Sequence, residues 1–429
     1  MMDICTARDE RIKIIKSLLS YEKVIISLRV NYPGPLKINQ ETLTVANVIH
    51  EEIKQTFNVN NFRYFESFEG PIYLYEISSN DPLDIKKRVI AIEDNHPLGR
   101  LVDIDVYYNT IKSISRRTLN LSPRKCFLCE NEAFRCIVEK NHSAEEVIKY
   151  FNDKVQKFLN IPLDLMEFAI QAMLYEVSLE PSFGKVSPST SGAHQDMDYH
   201  LFLDSISVIS KYMLKFAQLG FQSKSINEMY DASVEIGKAC EEAMFKKTKG
   251  VNTQKGLIFV LGLLIMSSAK VIYCGKDFSE IFTYVEMLGK QKFKELENLN
   301  RDNLTKGEQV YKQYNIGGVR FEASLGFPLI QEALKIIDLQ DRTSFVKTFI
   351  YLMSKCDDTT IISRRGLDSL NYVKQVMSRL YLEELDFYKI QQVSEDFIHK
   401  GINPGGSCDL LCGTIFLKLV KNYIDNINK

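Results

Sequence analysis

Two aspartates interrupt the apolar stretch GRLVDIDVY, at positions 103 and 105. In an extended strand alternate side chains share a face, so Asp103 and Asp105 point one way while Val102, Ile104 and Val106 point the other. Two carboxylates so placed repel each other unless a cation or a basic side chain lies beside them. A divalent metal that holds a triphosphate is a common cation in nucleotidyl transfer. The alternative is a solvated edge strand whose aspartates contact water.

The residues just before this strand are also polar. The segment EDNHPLGR supplies Glu93, His96 and Arg100, together with a glycine that permits close approach of the backbone. This density of polar groups favours a functional role for the aspartate pair over an edge strand.

A second group of candidate ligands follows in RKCFLCENEAFRCIVEKNH. Cys126, Cys129, Cys136 and His142 have the spacing C-x2-C-x6-C-x5-H, which suits a Cys3His zinc site. Such a zinc ion is structural, because four protein ligands leave no open position. The alternative is ordinary buried cysteines beside a helix that begins at NHSAEE, with Ser143 as its N-cap.

Further along the chain, polar and glycine-rich motifs separate apolar helical segments. Asn252, Thr253 and Lys255 precede an apolar helix, where free backbone N–H groups favour phosphate; a simple N-cap is the alternative. His194 has the same alternative role at a helix end. The candidate residues of these motifs are Lys185, His194, Asp196, Asp198, Asn252, Thr253, Lys255, Arg320, Glu322, Asp358, Arg364, Gly405, Gly406 and Ser407.

The elements that position these residues differ between the two parts of the chain. Up to about residue 110 the patterns are mixed: helices are predicted in ERIKIIKSLLSYE and ETLTVANVIHEEIKQTF, and strands in KVIISLRVNY, PIYLYEI, KRVIAIED and LVDIDVYY. From Pro162 onward, apolar residues recur at helical spacing almost throughout. The sequence therefore predicts a multidomain protein, with an α+β domain over residues 1–160 and an all-α domain over residues 161–429.

Composition limits the classes of partner. The chain has 429 residues and a net charge of −1, which gives no electrostatic reason to expect nucleic acid or an anionic membrane. The N-terminus lacks a signal-peptide pattern, and GLIFVLGLLIM is too short to span a bilayer and suits a buried helix. Nine scattered cysteines indicate reduced thiols. We expect a cytoplasmic protein.

Five ordered motifs over roughly residues 7–155 resemble the apo-citrate lyase phosphoribosyl-dephospho-CoA transferase family, also called holo-citrate lyase synthase. They are LRVNYPGPLK, FEGPIYLYEI, HPLGRLVDIDVY, ISRR and RKCFLC…CIVEKNHS. The resemblance implies a nucleotidyltransferase-type domain that transfers a phosphoribosyl-dephospho-CoA group to a serine of the citrate lyase acyl carrier (gamma) subunit and releases diphosphate. It implies that Asp103 and Asp105 act in catalysis by binding Mg²⁺. The residues implied to contact phosphate are Lys37, His96, Arg100, Arg116 and Arg117.

The C-terminal motifs resemble the triphosphoribosyl-dephospho-CoA synthase family over roughly residues 163–425. They are SGAHQDMD, GVNTQKG, GVRFEASLGFP, DDTTIISRRG and NPGGSCDLL. That family joins ATP to 3'-dephospho-CoA and releases adenine, which requires a base, an acid and a held triphosphate. Our hypotheses place Lys185, Lys255 and Arg320 on phosphate, Asp196 and Asp358 on Mg²⁺, and Glu322 or Asp198 as the base. Gln254 and Ser187 depart from the family pattern, which often has His and Asp there.

The two resemblances share an intermediate, because the second family makes what the first consumes. The sequence therefore predicts a bifunctional transferase that uses ATP and Mg²⁺ and matures citrate lyase. One alternative is the equivalent maturation of malonate decarboxylase, which uses the same prosthetic group. The other is a non-catalytic adaptor that contains zinc on a helical scaffold.

Overall fold

The computed structural model describes residues 4–20, 23–79, 81–222, 224–299 and 303–427. The chain divides into two compact units: residues 1–161 with 273–276 form unit 1, and residues 162–272 with 277–429 form unit 2.

Unit 1 contains a four-stranded antiparallel sheet with the strand order β2-β3-β1-β4. The register places Arg29 opposite Asp103 and Ser27 opposite Asp105 on the neighbouring strands β1 and β4. The apolar side chains of β1 and β3 are almost fully buried, as expected for the two inner strands of a small sheet. The strands are β1 (Lys23–Val30), β2 (Asn61–Ser67), β3 (Gly70–Ser78) and β4 (Val102–Tyr108).

Helices cover both faces of this sheet. The first helix packs its Ile15 and Leu18 on Ile25, Leu74 and Tyr107. The second begins at a reciprocal capping box of Asn39 and Thr42, and the third begins at an Asp81 cap followed by proline. The helices of unit 1 are α1 (Ile4–Leu18), α2 (Gln40–Thr56), α3 (Pro82–Asn95) and α4 (Ala133–Glu139), with short 3-10 turns at Gly99–Leu101 and Arg116–Leu119.

One predicted element of unit 1 is wrong, and one strand was not predicted. The prediction of a strand in KRVIAIED is wrong, because the segment lies within α3, where Ile85, Val89 and Ile92 are buried at helical spacing behind the Asp81–Pro82 start. A short apolar run fits either a strand or a helix, and the helix-start signal at Asp81–Pro82 correctly indicates a helix. The sequence analysis also missed β2, an edge strand whose residues are mostly exposed and therefore show no alternation of apolar side chains.

Unit 2 is helical, and the residues described for it contain no strand longer than an isolated bridge between Ser187 and Thr190. An α+β region followed by an all-α region is therefore confirmed. A long helix, α5 (Ala144–Val177), contains the boundary between the units and has Pro162 inside it. The remaining helices are α6 (Tyr199–Gly220), α7 (Ile226–Lys247), α8 (Lys255–Tyr273), α9 (Glu280–Glu297), α10 (Lys306–Tyr314), α11 (Gly318–Ser324), α12 (Pro328–Ala333), α13 (Arg342–Lys355), α14 (Thr359–Arg365), α15 (Leu367–Leu382), α16 (Phe387–His399) and α17 (Gly405–Ile427).

The helix α8 contains the most apolar run of the sequence. By length and composition it could cross a membrane, but 89% of its most apolar 18-residue window is buried inside the structure. Gly262 lets the ring of Phe216 approach the α8 backbone, since a Cβ there would lie 3.1 Å from that ring. The prediction of a buried core helix is confirmed.

Candidate active sites

The aspartates of β4 share one face of the sheet in unit 1. Val102, Ile104 and Val106 are buried on the other face, which confirms the predicted alternation. Asp103 and Asp105 keep 39% and 28% of their side-chain surface exposed. Arg29 of β1 lies between them, with Nη2 at 3.4 Å from Asp103 Oδ2 and 3.3 Å from Asp105 Oδ2. The basic partner that two neighbouring carboxylates require is therefore present.

These three residues belong to a longer series of alternating charges. Arg29 also contacts Glu69, which pairs with the buried Arg11 at 2.7 Å. On the other side, Arg124 donates to Asp103 Oδ1 at 2.9 Å and contacts the buried carboxylate of Glu93. Burial alone would lower the pKa of Arg124, but the negative charges of Glu93 and Asp103 outweigh this effect, so the pKa of Arg124 is raised. Asp103 thus has two guanidinium partners, whereas Asp105 has one.

Close packing of the backbone places Glu93 beside β4. A Cβ at Gly99 would lie 2.1 Å from the carbonyl oxygen of Ile92, so only glycine fits where the chain passes the end of α3. The carboxylate of Glu93 then accepts a hydrogen bond from the Ile104 N–H at 2.8 Å. The LGR motif therefore joins the last turn of α3 to the aspartate strand.

The structure places the predicted phosphate ligands of unit 1 in different settings. Arg117 is exposed, whereas Arg116 pairs with Asp94 at 2.8 Å. Arg100 donates to the carbonyl oxygens of Lys125 and Cys126, at 2.5 and 3.4 Å. Lys37 donates to the carbonyl oxygen of Tyr32.

His96 does not have the character of a phosphate ligand. It is buried, its Nδ1 accepts the Leu98 N–H at 3.0 Å, and burial lowers its pKa to about 4. A neutral, buried imidazole supplies no charge to a phosphate, so this residue stabilises the turn after α3. The sequence analysis missed the two cations closest to the aspartates, Arg29 and Arg124, although both lie inside the motifs quoted above.

The four cysteine and histidine residues come together as their spacing predicts. One ligand atom from each of Cys126, Cys129, Cys136 and His142 lies within 4.8 Å of all the others. Ser143 and Glu146 form the reciprocal cap that begins α5, with the Glu146 N–H at 3.1 Å from Ser143 Oγ. The predicted N-cap is thus confirmed, and it coexists with the clustered ligand atoms.

A cavity of about 520 Å³ collects most of the candidate residues of unit 2. Its walls come from α5, the loop before α6, and the beginnings of α8, α14 and α17, so residues distant in sequence converge on one space. Nine predicted residues line it: Lys185, His194, Asp196, Asn252, Thr253, Lys255, Arg320, Arg364 and Gly405.

Three cations of this cavity are anchored by neighbouring side chains. Lys255 pairs with Glu241 at 2.7 Å, and Arg320 pairs with Glu308 at 3.2 Å. Arg364 Nη2 lies 3.5 Å from Nδ1 of His194. Burial and the adjacent Arg364 lower the pKa of His194, so the imidazole is neutral at pH 7 and can accept a hydrogen bond.

Five predicted residues of unit 2 do not line the cavity: Asp198, Glu322, Asp358, Gly406 and Ser407. Asp198 is exposed and caps α6. The Glu322 carboxylate accepts the Leu329 N–H at 3.2 Å.

Asp358 is buried and holds two helices together. Its Oδ1 accepts the N–H groups that begin α14, and its Oδ2 accepts the Ser407 N–H and hydroxyl of α17, at 2.9 and 3.1 Å. These four hydrogen bonds occupy the oxygens that a metal would need, so the geometry favours a structural role for Asp358.

Two acidic residues of the cavity were missing from the candidate set. Glu176, on α5, lies 3.8 Å from Lys185, and burial raises its pKa although that lysine opposes the shift. Asp409, on α17, has no ion-pair partner among the residues that the structure describes, and burial together with the charges of Asp358 and Glu176 raises its pKa well above the usual range. Burial raises the pKa of both carboxyl groups, and perturbed carboxyl groups that line a cavity are typical of functional sites.

Gly256 provides the space for the Asp409 carboxylate. A Cβ at Gly256 would lie 2.2 Å from Asp409 Oδ2, whereas a Cβ at Gly307, another glycine of the cavity, would meet no heavy atom within 4 Å. We expect Gly256→Ala to displace Asp409 and to reduce adenine release from ATP by at least about tenfold. The matched Gly307→Ala variant should stay within about twofold of the parent. Equal rates for the two variants, measured by chromatography of adenine, would contradict this placement of Asp409.

Comparison with known proteins relates the two units to two enzyme families. Residues 162–427 match the family model of ATP:dephospho-CoA triphosphoribosyl transferase (CitG), and residues 1–158 match that of apo-citrate lyase phosphoribosyl-dephospho-CoA transferase (CitX). Protein CitXG of Leuconostoc mesenteroides is 30% identical over 97% of this chain and 96% of its own length. The chain belongs to the CitXG family.

Two further relatives agree with this assignment. Protein CitXG of Haemophilus influenzae is 27% identical over 96% of this chain and 94% of its own length. The 2-(5''-triphosphoribosyl)-3'-dephosphocoenzyme-A synthase of Pectobacterium atrosepticum is 34% identical over 59% of this chain and 88% of its own length. In CitXG terms, unit 1 is the CitX transferase unit and unit 2 is the CitG synthase unit.

Proposed function

We propose that the chain carries out two consecutive steps in the maturation of citrate lyase. Its synthase domain, residues 161–429, joins ATP to 3'-dephospho-CoA and releases adenine. Its transferase domain, residues 1–160, then moves the phosphoribosyl-dephospho-CoA group to a serine of the citrate lyase acyl carrier subunit and releases diphosphate. The observation that carries this proposal is the convergence of nine predicted residues from separate motifs on one cavity.

In the synthase, the cationic wall of the cavity binds the triphosphate of ATP. Lys255, Arg320 and Arg364 line the cavity and are held by Glu241, Glu308 and His194. Lys185 is almost fully buried and donates to two backbone carbonyl oxygens, so it acts on Glu176 more directly than on phosphate. The fixed cations orient the ribose C1 of ATP toward the attacking hydroxyl.

The acidic pair supplies the proton transfers. The C1–N bond to adenine breaks while a ribose hydroxyl of dephospho-CoA forms the new C1–O bond. Asp409, whose pKa is raised by burial and by neighbouring carboxylates, donates its proton to the departing adenine, and Glu176, which lies beside Lys185, accepts the hydroxyl proton. The two bases predicted from sequence, Glu322 and Asp198, do not line the cavity.

Mg²⁺ is the cofactor that we propose for both reactions. In the synthase, the Asp196 carboxylate lines the cavity and is well exposed, which fits an ion bound partly by water and phosphate. In the transferase, Asp103 and Asp105 are partly exposed, and both contact the guanidinium group of Arg29. When bound, Mg²⁺ neutralises charge on the phosphate oxygens.

The transferase unit binds its substrate beside the aspartate strand. We assign it a nucleotidyltransferase-type role, in which the carrier serine oxygen bonds to phosphorus and the bond to diphosphate breaks. Arg29 lies between the two aspartates. Arg117 is exposed and directly follows the paired Arg116 in the sequence. These guanidinium groups, with Lys37 and Arg100, are the cations that would contact phosphate.

The remaining assignments complete this proposal. We propose a cytoplasmic protein that needs neither nucleic acid nor a membrane, in agreement with its net charge of −1. A structural Zn²⁺ bound by Cys126, Cys129, Cys136 and His142 is the second metal of the proposal.

The test is to incubate the full chain with ATP, dephospho-CoA, Mg²⁺ and apo acyl carrier subunit, and to weigh the carrier by mass spectrometry. We expect a mass gain of one phosphoribosyl-dephospho-CoA group, and adenine release that requires dephospho-CoA. The apo carrier of malonate decarboxylase, offered in a parallel reaction, should be charged at least about tenfold more slowly. An unmodified citrate lyase carrier would overturn the transferase assignment, and absence of adenine would overturn the synthase assignment.

A further inference from the structure

Two ligand–ligand distances in the cysteine and histidine cluster have the values expected for a tetrahedral metal site. Cys129 Sγ lies 3.4 Å from Cys136 Sγ and 3.3 Å from His142 Nε2. Metal–ligand bonds of about 2.0–2.3 Å place tetrahedral ligand atoms about 3.3–3.8 Å apart. Three thiolates and one imidazole are ligands that zinc prefers, and calcium or magnesium does not.

The segment that carries these ligands buries few of its apolar side chains, although the Phe127 ring stacks on Tyr150. The Leu128 N–H points to Cys126 Sγ at 3.5 Å, and the Cys126 N–H bonds to the Asn131 carbonyl oxygen at 2.7 Å, which forms a tight turn around the first two thiols. On α4, by contrast, Phe134, Ile137 and Val138 are 74%, 75% and 63% exposed. A segment that buries so few apolar side chains depends on other bonds for its fold, and a metal supplies them.

This segment also carries Arg124, two residues before the first cysteine. Its Nη1 donates to the Val102 carbonyl oxygen at 2.8 Å and to Asp103 Oδ1 at 2.9 Å. The Ala133 N–H bonds to the Arg124 carbonyl oxygen at 2.8 Å, so the turn that holds the ligands also fixes the backbone of the arginine. Arg100 adds a second link, through the carbonyl oxygens of Lys125 and Cys126.

We propose that Cys126, Cys129, Cys136 and His142 bind one Zn²⁺, and that this ion positions Arg124 against Asp103. The second part rests on the proposed transferase function, whereas the first does not. Arg124 is here a positioning residue: it orients an aspartate of the site through the metal-held turn.

The metal is tested first, on the full chain. We expect about one equivalent of zinc after dialysis, measured by elemental mass spectrometry, and less than about a fifth of that in Cys129→Ser. The matched control is Cys5→Ser, which removes an exposed cysteine of α1 and should keep its zinc. Cobalt added to the metal-free wild-type chain should give the intense visible bands of a tetrahedral thiolate site. Absence of both zinc and the cobalt spectrum, or a Cys129–Cys136 disulfide in the native chain, would overturn the site.

The positioning role is tested by coupling zinc removal to Arg124→Ala. With the preformed triphosphate intermediate as substrate and Mg²⁺ in excess, removal of zinc by a zinc-selective chelator should reduce carrier charging at least about tenfold in the wild type, and added zinc should restore it. The same chelation should change carrier charging by less than about twofold in Arg124→Ala, because zinc affects charging through the position of this arginine. Equal losses in the two backgrounds would overturn positioning through Arg124.

These results separate the inference from the proposed function. Adenine release by the synthase unit should stay within about twofold of the zinc-bound rate in every zinc-free sample. Global unfolding would then be excluded as the cause of the lost carrier charging. If the wild type with zinc does not charge the carrier, the transferase assignment fails while a measured zinc equivalent stands. If the carrier is charged and no metal binds, the inference fails and the function stands.

Discussion

An Asp105→Asn protein is expected to make the triphosphate intermediate at the parental rate and to lose carrier charging by at least about a hundredfold. Asp105 is the more informative of the two aspartates, because Arg29 is its only ion-pair partner among the described residues, whereas Asp103 also contacts Arg124. Its replacement therefore removes a carboxylate that we propose as a metal ligand, with little disturbance of the charge network. The measurement is the mass of the carrier after incubation with the preformed intermediate.

The control for this experiment is Glu76→Gln, on β3, which β1 separates from β4 in the sheet. Glu76 pairs with Lys23 at 2.8 Å and lies away from the aspartate pair in the sheet register. We expect it to charge the carrier within about threefold of the parent. An Asp105→Asn protein that charges the carrier as fast as this control does would refute the role that we give to the β4 carboxylates.

Replacing Asp409 with asparagine should reduce adenine release by at least about a hundredfold while leaving carrier charging from preformed intermediate unchanged. Asparagine keeps the size of the side chain beside Gly256 but cannot donate the proton that adenine needs. The group acts in its protonated form, and its pKa is raised by burial and by the nearby carboxylates. Adenine release by the parent should accordingly fall as the pH rises through that raised pKa. Rates of adenine formation over a series of pH values measure both effects.

Glu322→Gln decides between Glu176, the base proposed here, and Glu322, a base predicted from sequence. Burial raises the pKa of both carboxyl groups, so the pKa alone does not distinguish them. The Glu322 carboxylate, however, accepts the Leu329 N–H and does not line the cavity. A large loss of adenine release in Glu322→Gln together with a small one in Glu176→Gln would restore Glu322 to the role of base.

Local patterns sufficed for part of this structure. The period of two in β4 fixed which side chains share a face, and the spacing of three cysteines and a histidine brought their ligand atoms within 4.8 Å. In each case the interacting residues are close in sequence, so the local geometry of a strand or a turn determines their arrangement.

Partners that are distant in sequence were not predictable. Arg29 meets Asp103 only because β1 and β4 are neighbours in a particular register, which depends on the whole sheet. Glu176 lies on the long helix α5, where a glutamate is unremarkable until tertiary packing buries it beside Lys185. For Asp358 the sequence suggested a metal ligand, whereas in the structure its carboxylate caps a helix.

Pro162 gives the long helix a natural point of division. Proline has no N–H to donate, so a helix that starts with it loses no backbone hydrogen bond, and its fixed φ suits the first helical position. A gene divided at this codon would therefore encode a synthase whose first helix is already suited to begin there. If such a synthase kept one residue before the proline, serine in place of Ile161 would supply an N-cap, which is worth about 0.5–2 kcal/mol.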